Sequence, residues 1–242
     1  MASIATIISV TAFGIITFSL FQLTDADKVS VGPKGITIEK YPEERHIEKT
    51  EIETDYSSFN IKGWELYQLE RYVEAIEYFD RALEIEPDNF YSLKNKGWAL
   101  HDLGRAEEAI EYFDRALEIE PNNHYTLNIK GVSLHDLGRA QESIEYFDRA
   151  LEIEPNYFYS LKNKGWALID LGKYEEAIEY FDRALEIEPN YHYSFTNKGV
   201  SLYYIGLYEE SIQYYDRTLE IEPYDDFALK NKEIVKKKLD LQ

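Results

Sequence analysis

Cysteine is absent from the chain, which removes disulfides, thiolate metal sites and cysteine nucleophiles together. Basic residues are in short supply: 26 Lys and Arg stand against 46 Asp and Glu, for a net charge of −20. Sequence-independent nucleic-acid binding neutralises phosphates with clustered Lys and Arg, so that balance argues against it, while it is compatible with solubility and with basic partners. No phosphate loop, nucleophile motif or metal-ligand spacing occurs. Long apolar runs are absent too, with one exception. Residues 2–24 carry no charged side chain and include Ile4, Ile7, Ile8, Val10, Phe13, Ile15, Ile16, Phe18, Leu20, Phe21 and Leu23. That run just reaches the ~20 residues needed to cross hydrocarbon as a helix. A cleaved signal peptide would show Lys or Arg before the apolar core and small residues at the cut, and neither is present. The expectation is an uncleaved single-pass membrane anchor over residues 1–24, with a signal peptide or a buried N-terminal helix as alternatives. Lys28, Lys34 and Lys40 follow the segment and no basic side chain precedes it, which weakly favours repeats on the cytoplasmic side over an extracytoplasmic location.

Residues 25–55 read as a polar linker, with a turn signal at Gly32-Pro33-Lys34-Gly35 and a brief alternation at Ile36-Thr37-Ile38 that predicts one short strand. His46 stands alone in the acidic part of this stretch, and a metal site needs three or four converging ligands.

What the chain has in abundance is repetition. Pro87, Pro121, Pro155, Pro189 and Pro223 are each 34 residues apart, and each closes a stretch like Ala109-Ile110-Glu111-Tyr112-Phe113-Asp114-Arg115-Ala116-Leu117-Glu118-Ile119-Glu120. A fixed period of this length signals stacked supersecondary units. Five units follow: residues 56–89, 90–123, 124–157, 158–191 and 192–225. Each reads as two helices. In the second unit Leu93, Gly97 and Leu100 line one face of the first helix, Gly104 ends it, and Ala109, Ile110, Phe113, Ala116 and Leu117 line the second. One such pair cannot bury its apolar faces alone, so stacking completes the core. Residues 226–242 restart the pattern at Leu229, place Glu233 where the units have glycine, and end in Lys236-Lys237-Lys238. They predict a solvating cap helix with its cations near the C-terminus.

The pattern Phe59, Gly63, Leu66, Ala75, Phe79, Ala82 and Pro87, repeated as Leu161, Gly165, Leu168, Ala177, Phe181, Ala184 and Pro189, resembles the tetratricopeptide repeat family. The resemblance implies an all-α fold, a right-handed α-solenoid of five helix-turn-helix units with a C-terminal capping helix. Ser143 and Ser211 replace the first alanine and Thr218 the second, which predicts a less tightly packed fifth unit. Lys62, Lys96, Lys130, Lys164 and Lys198 precede the glycines where the family often has leucine. Units two and four agree at 30 of 34 positions, and units three and five share a Lys-Gly-Val-Ser-Leu core. A pair of units has been duplicated, giving an expected 68-residue alternation of pockets.

In the family the first helices line a concave groove that holds an extended peptide or a partner helix. The resemblance places Tyr91, Tyr125, Tyr159 and Tyr193 in one row, Asn60, Lys94, Asn128 and Lys162 in the next, and Asn95, Asn163 and Asn197 in a third. Trp64, Trp98 and Trp166 form a fourth row, with packing between helices as their alternative role, and Tyr67, His101, His135 and Tyr203 a fifth. Aromatic rings offer contact area at low entropic cost, and asparagines can bond the main chain of an extended peptide. The family's carboxylate clamp is matched only in part: Asn95, Asn163 and Lys94 fit, but tryptophan takes the other asparagine's place and no arginine enters the groove. The acidic outer face, as in Glu107, Glu108, Glu111, Asp114 and Glu118, reads as solvated. His101 and His135 have Asp102 and Asp136 beside them in sequence, but helix neighbours point about 100° apart and do not make a dyad by adjacency. Neither catalysis, a cofactor nor a metal is expected. The functional expectation is a membrane-tethered scaffold for a protein or peptide partner, with a self-associating assembly module, and hence a homo-oligomer, as the alternative.

Overall fold

The computed structural model describes the backbone of residues 3–10, 16–23, 27–32, 35–40 and 55–241, and the side chains of residues 55–241. His46 and the acidic run at residues 43–53 lie outside the described residues. The chain divides into two units, Met1–Lys49 and Thr50–Gln242.

Among the described residues the first unit holds two antiparallel strand pairs. β1 (Ser3–Val10) pairs with β2 (Ile16–Leu23), with Ser3 opposite Leu23 and Val10 opposite Ile16. β3 (Asp27–Gly32) pairs with β4 (Gly35–Lys40), and the Ile36-Thr37-Ile38 alternation falls inside β4. Within residues 1–24, where the sequence led to the expectation of a membrane anchor, the described residues 3–10 and 16–23 are strands. No helix among the described residues is long and apolar enough to cross a membrane. The physical reason lies in the side chains: Ile4, Thr6, Ile7, Ile8, Val10, Ile16 and Thr17 are β-branched, stiff at χ1 and better suited to a pleated surface than to a helix.

Among the described residues the second unit contains eleven helices. They are α1 (Tyr56–Gln68), α2 (Tyr72–Ile85), α3 (Phe90–Asp102), α4 (Ala106–Ile119), α5 (His124–Asp136), α6 (Ala140–Ile153), α7 (Phe158–Asp170), α8 (Tyr174–Ile187), α9 (His192–Tyr204), α10 (Tyr208–Ile221) and α11 (Asp226–Leu239). Each packs on the next, and the odd-numbered helices also touch one another along the stack. The result is an all-α solenoid of helix pairs.

Local chemistry sets the boundaries. Gly104 takes φ +81°, and behind it the Arg105 amide donates to Leu100 O at 2.8 Å, closing α3 with a left-handed turn. The first repeat, residues 56–89, makes the same turn without glycine: Glu70 sits at φ 58°. Asn89 and Asn123 cap α3 and α5, each side-chain oxygen accepting a backbone N–H at 3.0 Å, and Asp225 caps α11 at 2.8 Å.

Packing follows from small residues facing rings. Phe79, Phe113, Phe147 and Phe181 are fully buried, each against its own unit's glycine; a Cβ on Gly97 would sit 2.5 Å from the Phe113 ring. One cluster runs from Leu66, Ala75 and Phe79 into Ala99, Leu100, Ala109 and Phe113, so the core is continuous across units. In the fifth unit Tyr215 replaces phenylalanine, and a Cβ on Gly199 would clear it by 3.0 Å. Ser211 and Thr218 are fully buried there. The Ser211 hydroxyl donates to Gly199 O at 2.6 Å, and Thr218 Oγ1 meets Thr196 Oγ1 at 3.0 Å. The Ser211 and Thr218 hydroxyls are therefore satisfied, while the aromatic contact of this unit is the slackest of the five.

The lysine before each glycine binds neighbouring units together. Lys96 pairs with Asp80 of the preceding unit, and Lys130 with Asp114, Lys164 with Asp148, Lys198 with Asp182 and Lys232 with Asp216. Lys96, Lys130 and Lys164 also donate to Tyr112, Tyr146 and Tyr180 at 2.6, 2.8 and 2.7 Å. A leucine would fill the same space without anchoring two units to one point. Lys62 has no preceding repeat and turns to Glu65 at 2.9 Å instead.

Candidate functional site

The first helices, α1, α3, α5, α7 and α9, carry most of the residues singled out from the sequence. Tyr91, Tyr125, Tyr159 and Tyr193 are all half-exposed, between 50% and 58%. Tyr125 and Tyr159 both meet Tyr157, at centroid distances of 5.2 and 5.5 Å, and Tyr193 meets Tyr191 at 5.6 Å. Phe158, 5.4 Å from Tyr159 and 4.9 Å from Tyr191, joins these two groups into one connected aromatic edge, while Tyr91 meets Phe90 at 5.4 Å apart from it.

Tyr157 and Tyr191 were not among the residues expected at the site, though the sequence carried a signal for them. They occupy the N-cap positions of α7 and α9, where Asn89 and Asn123 cap α3 and α5, and neither makes a side-chain cap bond. A tyrosine there gives up a cap worth about 1 kcal/mol and gains a ring on the edge of this face. Burial pushes both hydroxyls above the ordinary tyrosine value.

The asparagines are not loose. Asn95 Nδ2 donates to Asn60 Oδ1, and Asn163 Nδ2 to Asn128 Oδ1, both at 3.2 Å. These amide bridges fix the orientation of Asn95 and Asn163 across the junctions between units. Lys94 lies 5.4 Å from the Tyr91 ring, and Lys162 lies 5.8 Å from Tyr159 and 5.9 Å from Tyr191. Burial lowers both lysine pKa values, with the field of Glu120 opposing it at Lys94.

The tryptophans divide. Trp166 is 52% exposed and Trp64 36%. Trp98 packs into the core cluster, 6.1 Å from Tyr67, and its indole N–H is buried without a partner. Trp98 thus serves the junction between units one and two.

His101 and His135 do not come together, and neither uses the aspartate beside it in sequence as its close partner. His135 Nε2 is 2.7 Å from Asp170 Oδ2 in the following unit. His101 Nδ1 bonds Ser133 Oγ at 3.0 Å, and its Nε2 is 3.7 Å from Asp136. Tyr67 makes the corresponding link to Asp102 at 2.5 Å. All three are rungs from one repeat to the next. Among the described residues no group of three or more His, Asp or Glu is arranged to hold a metal ion.

A cavity of about 510 Å³ opens between α7, α9 and α11. Five of the expected residues, Lys162, Asn163, Trp166, Tyr193 and Asn197, line it together with Phe181, Tyr191, Ser194, Thr196, Asp225 and Phe227. The Ser194 hydroxyl is buried and has no hydrogen-bond partner. The walls are thus aromatic, with an ammonium and two amides lining the same space. That composition suits capture of a chain segment bearing an acceptor group.

Tetratricopeptide repeat models match residues 62–124, 124–157, 158–191 and 192–225, together about two-thirds of the 242 residues. The chain belongs to the tetratricopeptide repeat family. A search of curated proteins returns no sequence match. Among solved structures the fold is similar to YrrB, described as a tetratricopeptide repeat protein with an unusual peptide-binding site, at TM-score 0.64 and 23% identity over 74% of this chain and 93% of that one. It is similar to a MamA protein at TM-score 0.63 and 21% identity, covering 70% and 95% of the two chains. It is also similar to pilF of Pseudomonas aeruginosa at TM-score 0.63 and 22% identity, covering 69% and 76%. At such identities the likeness establishes the fold. As a tetratricopeptide repeat protein the chain is a protein-interaction scaffold.

Proposed function

We propose that this tetratricopeptide repeat scaffold captures an extended segment of a partner protein on the face formed by its first helices. The observation that carries this reading is the cavity between α7, α9 and α11, where Lys162, Asn163, Tyr193 and Asn197 converge with Tyr191 and Trp166. The peptide-binding site named for YrrB supports it by analogy of fold. The role is non-catalytic: binding and assembly of other proteins.

Crosslinking pull-down of the full chain beside its Tyr125→Ala/Lys162→Ala variant tests the reading, with circular dichroism confirming that both are folded. Partners lost from the variant support it; an unchanged partner set overturns it. Sedimentation over a concentration range separates this role from self-assembly, since a dilution-dependent oligomer insensitive to the double substitution would replace it. Membrane attachment through residues 1–24 rests on their lack of charge, and recovery of the full chain in the soluble fraction after lysis would overturn it.

A further inference from the structure

The 68-residue duplication writes one arrangement twice on the first-helix face. Asn60, Lys94, Asn95 and Trp98 recur as Asn128, Lys162, Asn163 and Trp166. The recurrence extends to geometry, since both amide bridges measure 3.2 Å and each lysine lies beside the tyrosine three residues before it, at 5.4 and 5.8 Å. Lys96, Lys130, Lys164 and Lys198 each hold an aspartate. Lys94 and Lys162, by contrast, have no carboxylate within 4.0 Å among the described residues. Lys162 donates only to Asn163 Oδ1, at 3.0 Å. In a chain of net charge −20, two partly desolvated ammonium groups with no carboxylate in contact stand out, Lys94 feeling only the more distant Glu120.

The sequence holds a third Lys-Asn pair 68 residues further on, Lys230-Asn231, and it marks what the first two have in addition. Thr196 stands where Asn60 and Asn128 do. Asn231 donates to Phe227 O at 2.8 Å instead of bridging units, and Lys230 is exposed. The bridged amide pair with its lysine therefore occurs twice, while the tryptophans beside them differ, Trp98 packed in the core and Trp166 exposed. At the second copy the Asp225 carboxylate that also lines the cavity is engaged by the Ala228 amide at 2.8 Å.

We infer that this face reads an acidic segment bivalently, taking one carboxylate side chain on Lys94 and a second on Lys162. The inference rests on the capture of an extended segment proposed above. The spacing follows from the stack. α3, α5 and α7 touch in succession, and two packed-helix steps of about 9 Å span about 18 Å, which an extended chain rising about 3.3 Å per residue covers in about six residues. The recognised feature is a pair of Glu or Asp residues about six apart, with uncharged or aromatic residues between them for the tyrosine edge.

Fluorescence anisotropy on the full chain tests this with labelled, C-terminally amidated 15-residue peptides of Ser, Ala and Tyr. They carry two Glu six apart, two Glu three apart, one Glu, or Gln at both places. The six-spaced pair is expected to bind about a hundredfold tighter than the single-Glu peptide, because the second contact is intramolecular. Lys94→Met or Lys162→Met should reduce it to the single-Glu level, the corresponding Arg variants should retain most of the gain, and Lys230→Met should change nothing. Equal affinity for the two spacings, or for Glu and Gln, would overturn the inference, as would binding only when the peptide's C-terminal carboxylate is left free. A random 12-residue peptide library panned on the same protein separates the two levels. Peptides enriched without acidic pairs would sink the bivalent reading and leave capture standing, whereas no enrichment of any peptide would sink both.

Discussion

Lys130 offers a sharp test of how the repeats are joined. Its ammonium meets Asp114 of the preceding unit, donates to Tyr146 Oη at 2.8 Å and lies 4.2 Å from that ring, while the residue as a whole is only 5% exposed. Replacement by methionine keeps the buried stem and removes the charge. The Asp114 side chain is 51% exposed and regains water, so the loss falls well short of the 3–5 kcal/mol typical of breaking a fully buried pair. The ion pair, the tyrosine bond and the cation–π contact are each worth about 1 kcal/mol. One ammonium serves all three and the terms are not additive, so about 2 kcal/mol is expected in total. With a urea slope of about 2–3 kcal/mol/M, the unfolding midpoint followed by circular dichroism drops by about 0.7–1 M. Lys62→Met is the control. That lysine occupies the same place in the first unit but holds only Glu65, both side chains being more than half exposed, and a few tenths of a kcal/mol is expected. Equal midpoints for the two variants, or no coupling in a Lys130/Asp114 double-mutant cycle, would refute the idea that this lysine ties units together.

Alkaline titration should expose the same device elsewhere. Burial alone would lower the Lys164 and Lys198 pKa values, but bonds to Asp148 and Tyr180, and to Asp182 and Tyr214, raise them above 10.5. Their stabilisation is therefore full below pH 10.5 and disappears as pH rises through the raised folded values; urea midpoints of the parent should fall in that range, and those of Lys164→Met should fall less. Glu70→Gly should stabilise by about 1 kcal/mol by relieving the left-handed conformation, read as a higher melting temperature; no rise would mean that φ 58° is free of strain at that turn. Tyr191→Asn should regain about 1 kcal/mol by restoring the N-cap of α9 while weakening partner capture in the pull-down. Gain in both properties would show that the ring has no part in binding.

The repeat architecture was legible because each residue type at the 34-residue period has one dominant physical role, as with Phe113 against Gly97. The alternating amides and lysines were legible as a pattern. Their pairing was not, because the Asn60–Asn95 bridge joins residues 35 apart on different helices. His135 is a like case: helix geometry excluded a dyad with Asp136 beside it, but its partner Asp170, 35 residues on in the next unit, was not legible. The N-terminal segment was read by hydropathy as a helix, while its β-branched residues favour the strands Ser3–Val10 and Ile16–Leu23. Tyr191 was hidden by the consensus itself, since a departure at a capping position reads as noise until the ring is seen lining a cavity.

The lysine–aspartate rungs also bear on how the chain can change length. Asp80, Asp114, Asp148, Asp182 and Asp216 present one connector, and Lys96, Lys130, Lys164, Lys198 and Lys232 the matching one. Excising residues 90–157 would set Asp80 against Lys164 with the junction chemistry intact and the amide–lysine alternation still in phase. Removing a single unit keeps the connector but throws the alternation out of phase, so such a molecule is free to grow or shrink by pairs.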